Sequence, residues 1–200
     1  IGDNLIKDTY ITGQLLVAMP AMQDERFAKT VIYMCAHNEE GAMGLVLNQQ
    51  LHSLSFEELM GQLNINGINK GNGVPIHFGG PVDAGRGFVL HTSDYCQDAT
   101  LEVEDGLALT ATVDILKAIA NGDGPEKSIL ALGYAGWGPG QLDLELKANG
   151  WLQVIGDKEL IYQIFSKKVH FGGSADPHSC FMLERGIKTL GVRMPTHASN

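Results

Sequence analysis

Apolar positions along this 200-residue chain come in short runs separated by glycine-containing turns. Gln14 to Ala18 is the first, ended by Met19-Pro20. Thr30 to Ala36 (TVIYMCA) is rich in β-branched and aromatic residues, the composition of a buried strand. Ala42 to Leu47 is a third run, after which Asn48-Gln49-Gln50 turns the chain. Gly87 to His91, Leu101 to Val103, Leu107 to Thr110, Ser128 to Tyr134 and Trp151 to Ile155 are further expected strands. Ser55-Phe56-Glu57-Glu58 has the spacing of a capping box, with Ser55 accepting from the Glu58 amide while the Glu58 carboxylate reaches back. It predicts a helix to about Leu63, with Leu59 and Leu63 on its apolar face. Thr112 is the expected cap of a second helix whose apolar positions are Val113, Leu116 and Ala120, with Gly122 past its end. Gln141 to Lys147 reads as a short helix with Pro139 near its first position, and Cys180 to Leu190 as a last one closed by Gly191. Asn64 to Gly73 is a polar surface loop. Strands dominate and helices are interspersed irregularly, which predicts the α+β class. With no repeat and no shift in composition, residues 1–200 read as a single domain.

Composition narrows the function. The 25 glycines are well above the usual share, which points to many sharp loops rather than a helical bundle. A formal charge of −9 argues against direct nucleic-acid binding, because that affinity comes from Lys and Arg neutralising phosphates. The same balance disfavours an anionic membrane surface. Cys35, Cys96 and Cys180 are an odd, widely spaced set without a CxxC or a structural zinc spacing, so reduced thiols, a cytoplasmic location and no bound metal are expected. The first residues lack a basic start followed by an apolar stretch, and no run is long enough for a membrane span.

Standard catalytic signatures are absent: there is no GxxxxGK[ST], GxSxG or HExxH, and neither Gly71-Asn72-Gly73 nor Gly138-Pro139-Gly140 carries the third glycine of a dinucleotide fingerprint. No cofactor is expected. What remains is a set of polar residues beside Gly-rich turns, where binding sites tend to be assembled. Candidate ligand-binding positions are Asp24, His37, Asn48, Gly79, Gly80, Arg86, His91, Trp137 and Gln141. If their strands share one sheet, the strand ends can line a common rim, with Trp137 as an apolar wall, Gly79-Gly80 offering backbone amides as an anion nest, and Arg86 a positive charge. The structural alternative is that Trp137 fills the core, the polar side chains hold loops by hydrogen bonds, and the glycines only permit a tight crossover. Strict strand alternation would place Cys35 and His37 on one face, leaving a thiol–imidazole pair open beside the reading of Cys35 as inert core.

The order and spacing of several segments resemble the AlgH/YqgE family of small bacterial proteins. They are Gly13 to Pro20, Asp24 with Phe27, His37 followed by Gly41 to Asn48, Gly79-Gly80-Pro81-Val82, Gly87 to His91, Gly133 to Leu146, and Trp151. The resemblance spans about residues 9–165 and implies a mixed α+β fold with a partly barrel-like sheet flanked by short helices. It supplies no catalytic residues, since the family has no established enzymatic activity, and its link to regulation of alginate production in one lineage does not imply direct DNA contact. Residues 166–200 depart from the family pattern, His170 to Cys180 standing where a helix start is expected. Two functions stay open: binding of a protein or small-molecule partner with at most an indirect role in transcriptional regulation, and an enzyme using His37, Asp24 and His91 in acid–base roles.

Overall fold

The β-rich runs assemble into one curled sheet. In the computed structural model, which describes residues 10–65, 74–104, 106–156 and 161, the elements are β1 (Leu15–Ala18), β2 (Val31–Asn38), β3 (Gly41–Val46), α1 (Phe56–Gln62), β4 (Ile76–Phe78), β5 (Val82–Thr92), β6 (Thr100–Glu102), β7 (Leu107–Thr110), α2 (Val113–Asn121), β8 (Ser128–Trp137), α3 (Gln141–Lys147) and β9 (Trp151–Val154). The strand order is β6-β7-β5-β8-β3-β2-β1-β9, and β4 adds to β8 off this path. All pairings are antiparallel except β4 with β8. The sheet curls into a half-barrel with short helices on it, as the α+β expectation holds.

Curling creates an inside and two outer faces. Leu15, Val17, Tyr33, Cys35, Leu45, Leu90, Leu109 and Ile129 point into the shared interior. On one outer face Leu16, Ile32, Met34, Val46, Ala135, Trp137 and Trp151 pack under Leu142 of α3 and Phe27 of the β1–β2 loop. On the other, Ile76, Val89 and Leu130 pack under Phe56 and Met60 of α1 and Ile115, Leu116 and Ile119 of α2. β8 serves all three clusters, which is why Gly133 falls in its middle. With φ +71 and the backbone of Gly80 and Val82 against it, Gly133 lets the strand change the face its side chains address.

Locally encoded elements form as expected. Both halves of the Ser55/Glu58 capping box are present, and Gly122 closes α2 in the left-handed region at φ 83. Three details are refined. Thr112 stands at the N-cap of α2 as expected, but its side chain makes no cap bond; its hydroxyl donates to Gln97 Oε1 at 3.0 Å. The buried face of α2 is Ile115, Leu116, Ile119 and Ala120, while Val113 is 45% exposed in the first turn. Pro139 stands just outside α3, whose cap is Gly140. Strand β4 has no signal of its own: Ile76-His77-Phe78 is three residues long and exists because it pairs with distant Leu130–Leu132. The expected helix Cys180–Leu190, residues 166–200 as a group and residues 66–73 of the polar loop lie outside the described residues.

Candidate functional site

The sheet divides the candidate residues between its two ends. His37 on β2 is opposite Ala42 on β3, and Ala42 is opposite Trp137 on β8, so His37 and Trp137 share the outer face under α3, two strands apart. Trp137 is buried, its ring 5.9 Å from Trp151 and 6.4 Å from Phe27 between centroids. Glu145 on α3 organises this cluster: its Oε2 accepts the indole N–H of Trp137 at 2.9 Å and that of Trp151 at 2.7 Å, while Oε1 accepts from Gln141 Nε2 at 2.9 Å. Gln141 Oε1 takes the amide of Gly138 at 3.1 Å, so the Gly-rich turn, α3 and both tryptophans are tied together. Asp24 joins the rim of this face through its neighbours. It holds the guanidinium of Arg26, which lies 5.7 Å over the Phe27 ring, and that partnership keeps its carboxyl below the usual carboxylate range.

His91 lies elsewhere. It pairs with Ser128, at the opposite end of β8 from Trp137, roughly 30 Å away along an extended strand of this length. Its face is the one under α2, beside Val89 and edge-on to Tyr95 at 6.3 Å. The imidazole is fully buried, with Nδ1 2.8 Å from Thr92 O and Nε2 2.9 Å from Thr110 Oγ1. Burial pushes it below the ordinary imidazole range, against the opposing pull of the Thr92 carbonyl and of Asp94. A single rim shared by Asp24, His37, His91 and Trp137 is therefore not what the fold builds.

The remaining candidates act on backbone. Asn48 accepts the Val31 amide at 2.9 Å and donates to Lys29 O at 2.8 Å, fastening the β1–β2 loop to the start of β2. His37 Nδ1 accepts the Ile11 amide at 3.3 Å, its own amide donates to Thr12 Oγ1 at 3.0 Å, and Tyr10 packs edge-on at 5.1 Å. Gly79 does not offer its amide to an anion: it donates to Leu132 O at 2.8 Å, and its carbonyl accepts from Val46. Gly80, at φ 153, lies so close to Tyr134 that any side chain would collide with strand backbone. The glycines thus make a tight crossover over β8. Arg86 is exposed on an excursion of β5 between Val82 and Gly87, with its guanidinium 5.3 Å from the Phe88 ring.

Cys35 and His37 are not a redox pair. A register shift between Met34 and Ala36 breaks the strand alternation, so Cys35 points into the interior while His37 follows Ala42 to the outer face. Burial pushes the Cys35 thiol up to about 12. Among the described residues no group of three or more His, Cys, Asp and Glu is placed to hold a metal ion. Nor is any described helix long and apolar enough to cross a membrane. Glu145 is the residue the sequence did not single out; its only signal was a carboxylate one turn after Gln141 in the motif that contains Trp137.

The AlgH-like family model matches residues 15–171. The chain belongs to the AlgH-like family. It is 58% identical over 154 residues to a UPF0301 protein of Rhodospirillum rubrum, covering 77% of this chain and 80% of that one. It is 53% identical over 172 residues to a UPF0301 protein of a Bradyrhizobium species, covering 81% and 79%. Among solved structures, the AlgH protein of Pseudomonas aeruginosa is similar with a TM-score of 0.68 and 41% identity, covering 84% of this chain and 91% of that one. A Corynebacterium diphtheriae protein at 19% identity and TM-score 0.58, covering 85% and 92%, shares the fold. The segments of this sequence that resemble the family include the crossover glycines, the Trp137–Glu145–Trp151 cluster and the strand-end staples described above.

Proposed function

We propose that this AlgH-like protein works by binding a protein or small-molecule partner in the cytoplasm, without catalysing a reaction and without holding nucleic acid itself. One observation carries the reading. The polar groups that acid–base chemistry would need are already partnered: His91 between Thr92 and Thr110 and His37 on the Ile11 amide inside the fold, and Asp24 on Arg26 at the surface. A general acid or base must reach a substrate proton within hydrogen-bond distance. Fully buried His91 offers no such approach, and His37 and His91 stand on different faces and cannot share one substrate. The charge of −9 supports an indirect role in any effect on transcription.

The test is a hydrolase and phosphatase substrate panel on purified protein, with His37→Ala and His91→Ala alongside. The expected result is no turnover above background in any of the three. Turnover that disappears in both variants while they remain folded overturns the binding reading in favour of the enzyme. Salt-dependent, sub-micromolar binding of duplex DNA by the protein alone overturns the indirect role.

A further inference from the structure

A chain of hydrogen bonds runs from the buried imidazole of His91 to the surface, and its direction is fixed. Thr92 O, 2.8 Å from Nδ1, can only accept, so Nδ1 carries the proton in the neutral ring. Nε2 is then an acceptor, and Thr110 must donate its hydroxyl proton to it across 2.9 Å. With that proton spent, the 2.8 Å bond between Thr110 and Thr100 runs from Thr100 to Thr110. Thr100 Oγ1 in turn accepts the Gln97 amide at 2.9 Å, and Gln97 binds Tyr95 and Thr112 through its side chain. From the Gln97 amide through Thr100 and Thr110 each donor points towards His91, and the far end is the Ser93–Thr100 turn, tied to the start of α2 through Gln97 and Thr112.

We propose that His91 is a pH-sensitive switch for the Ser93–Thr100 turn. Protonation puts a hydrogen on Nε2, which meets the Thr110 hydroxyl proton head-on. Thr110 rotates to accept the new proton and donates to Thr100, whose oxygen must then serve both this donor and the Gln97 amide, while the Thr100 proton turns out to solvent. The buried charge is therefore felt at Thr100, which is partly exposed, as a weakened bond to the Gln97 amide in the turn. The titratable and charged groups on the elements around the imidazole are Asp94, Tyr95, Cys96 and Asp98 in the following turn, Glu126 and Lys127 before β8, Glu102 on β6, and Asp114 and Lys117 on α2. The last two are paired with each other, and β7 carries none. Asp94 is the one that attracts the imidazolium, and its Oδ2 is held by the Glu126 amide at 2.9 Å. Burial of the ring sets the switch below the ordinary imidazole range.

The experiment is amide hydrogen exchange and imidazole nitrogen NMR on the full chain between pH 7.5 and 5. The expected result is the Nδ1–H tautomer at pH 7.5, then a fall of about tenfold in the protection of the Gln97 and Thr100 amides with the same midpoint as the imidazole. In Thr110→Val the imidazole still titrates and the turn stops following it; in His91→Gln the turn response disappears. Should His91→Gln fail to fold, Thr110→Val carries the test. The proposal is overturned if His91 stays neutral until global unfolding, or if the turn response survives in Thr110→Val. It is also overturned if the response vanishes in Asp94→Asn while persisting in His91→Gln, which assigns it to the carboxylate.

Discussion

Glu145 shows how one side chain can order a whole face. A single carboxylate oxygen takes both indole N–H groups, and the other oxygen takes Gln141, so α3 is pinned to β8 and β9 at once. Hydrogen bonds to a charged acceptor contribute more than neutral ones, and an indole left unpaired in a buried site is costly. Glu145→Gln retains the shape and offers one acceptor oxygen in place of two. It is expected to lower stability by about 1–3 kcal/mol in urea denaturation and to shift tryptophan emission to the red. An unchanged midpoint would mean that Glu145 is only a surface carboxylate. Nothing in Leu142-Asp143-Leu144-Glu145 announces this role, because it depends on Trp137 and Trp151 arriving from two separate strands. Trp137 was legible as a large residue in a Gly-rich turn, with burial one of its two readings; that its indole N–H finds Glu145 was not.

At the level of elements, what is local in sequence was readable and what depends on distant pairing was not. The capping box at Ser55, the Gly122 stop and the extent of α3 each follow from residues within one turn. β4 is a strand only because β8 is beside it, and the face of His37 is set by an irregularity in β2 that leaves no mark on the hydrophobic pattern. The glycines separate in the same way. Gly133 holds φ +71 against the backbone of Gly80 and Val82, whereas Gly61 in α1 faces open space. Gly133→Ala is expected to cost about 3 kcal/mol or more, or to prevent folding, because strand backbone has nowhere to move. Gly61→Ala is expected to stabilise by up to about 1 kcal/mol through a better helix former and a less flexible unfolded chain. Denaturation midpoints of the two variants check both signs, and similar effects at the two positions would contradict the distinction.

For the whole molecule, the curled sheet puts the family motifs to work at two ends and on several faces rather than around one rim. The positions of most strands were within reach of the sequence; the sheet order was not, because it rests on pairings between distant segments. The convergence of the candidate residues was not, because it required knowing that His91 pairs with the first residue of β8 and Trp137 stands at its last. The same geometry gives the protein a pH dependence. His91 titrates lower in the folded state than the 6.5 of the unfolded chain, so between these values the unfolded state binds more protons and stability rises with pH. Stability is therefore lost as pH falls through 6.5 towards the folded value. Denaturation midpoints across pH 7.5 to 5 should show that limb in the native protein and a flatter one in His91→Gln; parallel curves would remove His91 as the cause. Motif polar residues act chiefly as staples of the fold, and Asn48, which joins Lys29 and Val31, is the plainest of them. Urea denaturation of Asn48→Ala is predicted to show a loss of about 1–3 kcal/mol, the cost of leaving the part-buried Val31 amide unpaired; full native stability in that variant would contradict this role.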